Sequence, residues 1–158
     1  MTVIGIDDTD SRERGMCTTY LAARVADRLA DEHTVHRRLL IRLNPAVEHK
    51  TRGNAALAIH TDAPVEASLE AVTVDFEMAE TADPRTNPGV VVAPADPGAV
   101  PDRVAEFASD AVQEHQTLAE TRDLLAELEY ETRAGGNGRG LIGALAAVGA
   151  WRANDDWT

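Results

Sequence analysis

The run Val3-Ile4-Gly5-Ile6 is the strongest constraint on how this chain can fold. Successive side chains of an extended segment point to opposite faces. A strand built from this run is therefore apolar on both sides and has to be covered on both, as the central strand of a helix-flanked sheet is. The spacing predicts such a strand over residues 2–7. The run then stops at Asp7-Asp8-Thr9-Asp10. Three carboxylates at the end of a buried strand repel one another and add nothing to folding. A hard cation among them makes them tolerable, because Mg²⁺ takes oxygen ligands from one or two carboxylates and keeps room for phosphate oxygens. A turn and cap is the plainer reading, since Asp and Thr are ordinary there. One cap, however, accounts for one acid and not for three.

Behind this stretch the periodicity alternates between helix and strand. Gly15–His33 reads as an amphipathic helix, with Met16, Tyr20, Leu21, Val25 and Leu29 on one side and Arg24, Asp27, Arg28 and Asp31 on the other. Val35–Leu43 and Asn54–His60 read as strands, separated by a loop over Pro45–Gly53. Pro64–Ala79 reads as a second helix, Asp83–Gly89 as a loop, and Val90–Ala93 as a further buried strand. Pro94–Gly98 reads as a turn, Pro101–Glu114 and Leu118–Leu128 as helices, and Tyr130–Ala134 as a short strand. A glycine-rich turn, Gly135-Gly136-Asn137-Gly138-Arg139-Gly140, then opens a small-residue helix over Leu141–Trp151, where Gly143 and Gly149 suggest close packing. The order β-α-β-β-α-β is that of a ferredoxin-like unit. The expected class is α/β (α+β): one sheet flanked by helices, with additional C-terminal helices and the glycine-rich loop, forming a single domain over residues 1–158.

Composition narrows the setting. Asp plus Glu number 27 against 15 for Lys plus Arg, a formal net charge of −12, and Lys50 is the only lysine. Such a surface suits a protein kept soluble at high salt, and net charge speaks to solubility and association rather than to fold. An RNA partner would then need a local basic patch. The single Cys17 excludes an intramolecular disulfide and a Cys-based zinc ribbon within these residues. No apolar run approaches the ~20 residues of a membrane helix, and the start has no cationic secretory pattern. A cytoplasmic setting is expected.

Several groups of residues carry candidate chemistry. Asp7 and Asp8, being adjacent, reach one ion only where the strand is already turning, with Asp10 approaching from the turn. Thr18 and Thr19 fall in the first turn of a helix near these acids, where a hydroxyl can ligate Mg²⁺ or accept a phosphoryl group, although most Thr in such places merely cap. His36-Arg37-Arg38, Arg42 and His49-Lys50-Thr51-Arg52 form a segment with one acid, Glu48, in an otherwise acidic chain. Lys50 and Arg52 suit triphosphate or RNA phosphates. A solvated strand face is the bland alternative for the arginines of 36–42. Gly136, Gly138 and Gly140 allow close approach of backbone to phosphate, and Arg139 adds a bidentate cation. This is neither a P-loop nor a Rossmann fingerprint, and a flexible hairpin turn is its plain alternative.

The residues Gly5-Ile6-Asp7-Asp8-Thr9-Asp10, Met16-Cys17-Thr18-Thr19-Tyr20, Arg42-Leu43-Asn44-Pro45, Lys50-Thr51-Arg52-Gly53-Asn54-Ala55, Thr86-Asn87-Pro88-Gly89 and Gly138-Arg139-Gly140-Leu141-Ile142-Gly143-Ala144 resemble, in order, the archaeal TiaS enzymes. These are 2-agmatinylcytidine synthetases acting on the isoleucine tRNA with a CAU anticodon. The resemblance implies an ATP-dependent kinase-like domain that phosphorylates the 2-oxo group of the wobble cytidine, after which agmatine displaces the phosphate. It also implies autophosphorylation at a threonine matching Thr18. The family's second ferredoxin-like domain, OB-fold and zinc ribbon have no counterpart here, so the chain is expected to be the kinase domain of a haloarchaeal member. Asp7 and Asp8 would hold Mg²⁺, and Asp10, Thr19, Lys50, Arg52, Gly136, Gly138, Arg139 and Gly140 would bind ATP phosphates. Two other readings stand beside it: a non-catalytic nucleotide- or RNA-binding module, and a small regulatory domain with no nucleotide.

Overall fold

The computed structural model describes residues 1–7, 18–42, 55–82, 89–113, 117–134 and 140–154. In chain order these form β1 (Thr2–Asp7), α1 (Thr18–Ala30), β2 (Val35–Arg42), β3 (Ala55–Thr61), α2 (Val65–Ala82), β4 (Gly89–Ala93), α3 (Asp102–Gln113), α4 (Leu118–Leu128), β5 (Glu131–Ala134) and α5 (Gly140–Asn154). A 3-10 turn over Pro97–Ala99 overlaps the end of the Pro94–Gly98 segment read as a plain turn. The helix expected from Gly15 is described from Thr18, and it ends at Ala30 rather than His33.

The strands make one sheet in the order β2-β3-β1-β4-β5, with antiparallel pairing throughout. The first four strands keep the ferredoxin-like order, and β5 extends the sheet beyond β4. β1 is in the middle, and Thr2 to Ile6 are all buried. Its alternate residues serve two different cores. Ile4 and Ile6 pack with Val25 and Leu29 of α1, Val72 of α2, Ile59, Val90 and Val92. Val3 packs on the other side with Val91, Val104 and Phe107 of α3, and Leu141, Leu145 and Val148 of α5. Full burial of each such side chain is worth about 1.5–3 kcal/mol, which is why both faces of β1 have to be apolar. Helices thus cover both faces of the single sheet, α1 and α2 on one side, α5 and α3 on the other.

α5 explains the small-residue run. Leu141 and residues 143–150 are all buried, so the helix is apolar all round and belongs inside the molecule. It lies close against β1: a Cβ added to Gly5 would overlap the carbonyl of Ala144. Only a residue without a side chain lets strand and helix backbone approach in this way.

Candidate functional site

The antiparallel alternation brings one set of strand ends together. Asp7, the last residue of β1, is opposite Ala56 near the start of β3 and Gly89 at the start of β4. Arg42, the last residue of β2, pairs with Ala55, and Gly89 pairs with Ala134, the last residue of β5. The flanks of residues 8–17, 43–54, 83–88 and 135–139 therefore all lie at one end of the sheet. In sequence these stretches carry Asp8 and Asp10, the Lys50-Thr51-Arg52 segment and Gly135, Gly136 and Gly138. β2 begins beside Thr61, at the far end, so α1 runs back from the Asp7 end and Thr18 and Thr19 are its first two residues there.

At that end three elements touch. Asp7 is half-buried, and its carboxylate lies directly against Gly143 in the first turn of α5, where an added Cβ would overlap it. A Cβ on Gly89 would likewise overlap the backbone of Gly140 and Leu141. Glycine is thus required at 143 to admit the carboxylate and at 89 to admit the start of the helix. The structure brings together Asp7 and Gly140, which the sequence placed in one site from 133 positions apart. Asp8, Asp10, Lys50, Arg52, Gly136, Gly138 and Arg139 lie outside the described residues, as do the loops at 45–53 and 83–88.

The chemistry of this corner follows from its parts. The first four N–H groups of a helix have no partner within it, and the N-terminus carries roughly half a positive charge. A phosphate suits such a place. The Asp7 carboxylate supplies a hard oxygen of the kind Mg²⁺ takes. Among the described residues no group of three or more His, Cys, Asp or Glu gathers around a common point. The described donor at this end is thus Asp7, with Asp8 and Asp10 following it in sequence.

Sequence reading missed a second polar feature. His60 is completely buried on β3, opposite Val3 and so at the other end of the sheet from Asp7. Neither ring nitrogen has a hydrogen-bond partner among the described residues. Its ring meets Trp151 of α5 edge to face at 5.6 Å, and the Arg37 guanidinium lies 4.2 Å over the same indole. The available signal was the period Ala56, Ala58, His60, which puts the imidazole on the α5 face. Burial, followed by the charges of Arg37 and His36, lowers its pKa from 6.5 to about 4. The unfolded chain therefore binds the proton first, and stability that is full above pH 6.5 is lost as the pH falls toward 4. The loss is ~1.4 kcal/mol per pH unit within that window. Replacing His60 with Leu should flatten the urea-unfolding free energy between pH 6.5 and 4 relative to wild type. An unchanged slope would mean that His60 is not buried neutral.

Known proteins similar to this chain point in one direction. The model described as the TiaS TCKD domain matches residues 3–68. A protein of Haloquadratum walsbyi, named as the isoleucine-tRNA 2-agmatinylcytidine synthetase TiaS, is 56% identical over 100% of the chain, which covers 35% of that relative. Over its full length the chain is similar to the N-terminal part of TiaS proteins. The TiaS of Methanosarcina acetivorans is 41% identical over 98% of the chain and 37% of its own length. Among solved structures, apo TiaS superposes with a TM-score of 0.80 at 38% identity, covering 95% of this chain and 36% of that one. The complex of TiaS with its isoleucine tRNA and ATP gives 0.79 at 39% identity, covering 94% and 36%. The chain spans about a third of the length of the curated TiaS relatives it matches.

Proposed function

We propose that the chain is the ATP-binding, phosphoryl-transferring part of an agmatidine synthetase acting on the isoleucine tRNA with a CAU anticodon. The observation that carries this reading is the Asp7 carboxylate set on the first turn of α5, at the sheet end that bounds every motif stretch. The TiaS complexes with tRNA and ATP, and with tRNA, AMPCPP and agmatine, support the choice of substrates.

In this reading the triphosphate enters from the Asp7 end. The amides of the first α5 turn, beginning at Gly140, take phosphate oxygens, with Gly136, Gly138 and Arg139 leading into them. Lys50, Arg52, Asp10 and Thr19 complete the phosphate surroundings. Asp7 and Asp8 are the residues to hold Mg²⁺, whose charge would offset that of the phosphates. Phosphoryl transfer is chiefly a matter of position and electrostatics, so an acceptor needs only to be held in line. The γ-phosphoryl group passes to the 2-oxygen of the wobble cytidine and ADP leaves. The amine of agmatine then displaces that phosphate at C2, in the whole protein of which this chain is similar to one part. Thr18, opening α1 at the same end, is the second acceptor: its hydroxyl loses a proton and gains the γ-phosphoryl group of ATP.

Incubation with γ-labelled ATP and Mg²⁺ at high salt should label the folded protein, and Thr18→Ala should lose the label. A wild-type protein that is stabilised by ATP yet takes no label would be a binding module rather than a kinase.

A further inference from the structure

We propose that the exposed edge of β2, presenting His36, Arg37 and Arg38, is a docking surface for an RNA phosphodiester backbone leading toward the Asp7 end of the sheet. It rests on the reading just given, in which an RNA is the substrate, and assigns the surface that grips it.

Among the described residues β2 is the outer strand of the sheet, hydrogen-bonded on one side to β3 alone. Its pairing with β3 slips between Val35 and Arg37, so His36 is the extra residue of a bulge. His36, Arg37 and Arg38 are all exposed. Arg38, which pairs with Ile59, faces the α1 side, and Arg37, paired with His60, faces α5. The two guanidiniums therefore straddle the edge and offer donors to both of its sides. In a chain carrying 27 acids against 15 Lys and Arg, neutralising partners for them would be easy to supply. Among the described residues, however, neither arginine forms an ion pair. Arginines elsewhere do form them: Arg103 pairs with Glu127, and Arg152 with Asp102.

Arg37 is also held in place. Its guanidinium lies 4.2 Å over the Trp151 ring, a cation–π contact that orients the planar group and reduces the freedom lost when its N–H donors engage a phosphate. Trp151 is in turn propped by His60 beneath it. The buried imidazole, the indole and the guanidinium form a stack whose outermost member is a charged fork.

The strand also has a direction. From Arg37, β2 runs to Arg42, which pairs with Ala55, the neighbour of the Ala56 that faces Asp7. At ~3.3 Å per residue the five steps from Arg37 to Arg42 cover roughly 17 Å to the Asp7 end of the sheet, where β3 alone separates β2 from β1, a distance a few nucleotides can span. A polyanion laid along β2 thus arrives where the phosphoryl group is to be transferred. The competing explanation is edge protection, since charged residues and bulges keep outer strands from pairing with other chains.

The test is the salt dependence of binding to an unmodified tRNA transcript with a CAU anticodon. Each phosphate contact contributes about 0.7–0.9 to the slope of log affinity against log salt. Arg37→Gln/Arg38→Gln should reduce that slope by about 1.4–1.8 and weaken binding at the lowest workable salt by at least about tenfold. Thermal stabilisation by Mg²⁺ and ATP, read on the same samples, should be unchanged. Loss of that stabilisation in the wild type would sink the nucleotide site while leaving the RNA result to stand or fall alone. An unaltered slope and affinity overturn the proposal, as does a wild type that binds no tRNA. If the double variant instead self-associates with RNA binding intact, the arginines guard the edge. If RNA binding is intact and the remaining two thirds of a TiaS-length protein no longer associates, the surface docks protein.

Discussion

Asp7→Asn is expected to cut phosphoryl transfer from ATP by roughly 10²–10³-fold, the usual cost of removing one preorganised charge-stabilising group. The exchange keeps the size of the side chain, so the contact with Gly143 in the first turn of α5 survives. What goes is the negative charge. The loss of its attraction to the helix N-terminus costs about 0.3–1 kcal/mol, and up to ~2 where partly buried, so the variant remains folded. The two roles open to Asp7 then separate in one pair of melting curves. A group that only stabilises the helix end lowers the melting temperature but leaves the upward shift given by Mg²⁺ and ATP intact. A group that holds the metal loses that shift, because stabilisation by a ligand requires binding to the folded state.

Gly5→Ala should be the most damaging small substitution among the described residues. The added Cβ would overlap the carbonyl oxygen and carbon of Ala144 and crowd Val148. Those atoms belong to the backbone of a buried helix, flanked by Leu145 and Ala147, which are 0% exposed. Relief requires α5 to move off β1 as a unit, opening the interface that Val3 and Val91 share with it. Overpacking usually costs about 1–3 kcal/mol where side chains can yield. Here backbone meets backbone, so the cost belongs at or above the top of that range, a large fraction of the roughly 5–15 kcal/mol available to a domain. Urea unfolding at constant salt measures it. A midpoint within error of wild type would mean that α5 does not lie against β1 as described.

The sheet was legible because its constraints are local. The doubly apolar β1 and the 3.6-residue period of α1 and α3 each announce an element. The order of elements then leaves few ways to pair the strands. The apolar run of α5 announced a buried helix, although not that it would cover the second face of the sheet against Gly5. The site was half legible. Asp7 and the glycine-rich approach to α5 are composition signals, and the fold places the Asp7 carboxylate against Gly143 in the first turn of that helix. The stack of His60, Trp151 and Arg37 was not legible. It joins β3, α5 and β2 across 114 positions between Arg37 and Trp151, and nothing local distinguishes a buried His at a strand end from an exposed one. That Arg37 and Arg38 form no ion pair among the described residues was equally invisible, since an acidic chain offers carboxylates everywhere and only the fold tells which are near.

The central claim is that Asp7 and the first turn of α5 hold the triphosphate. A crystal of the protein grown with Mg²⁺ and a non-hydrolysable ATP analogue tests it most directly. The account predicts phosphate oxygens on the backbone amides beginning at Gly140, with the metal within coordination distance of the Asp7 carboxylate. A triphosphate bound at the opposite end of the sheet, near His60, or over the outer face of α3 would contradict it.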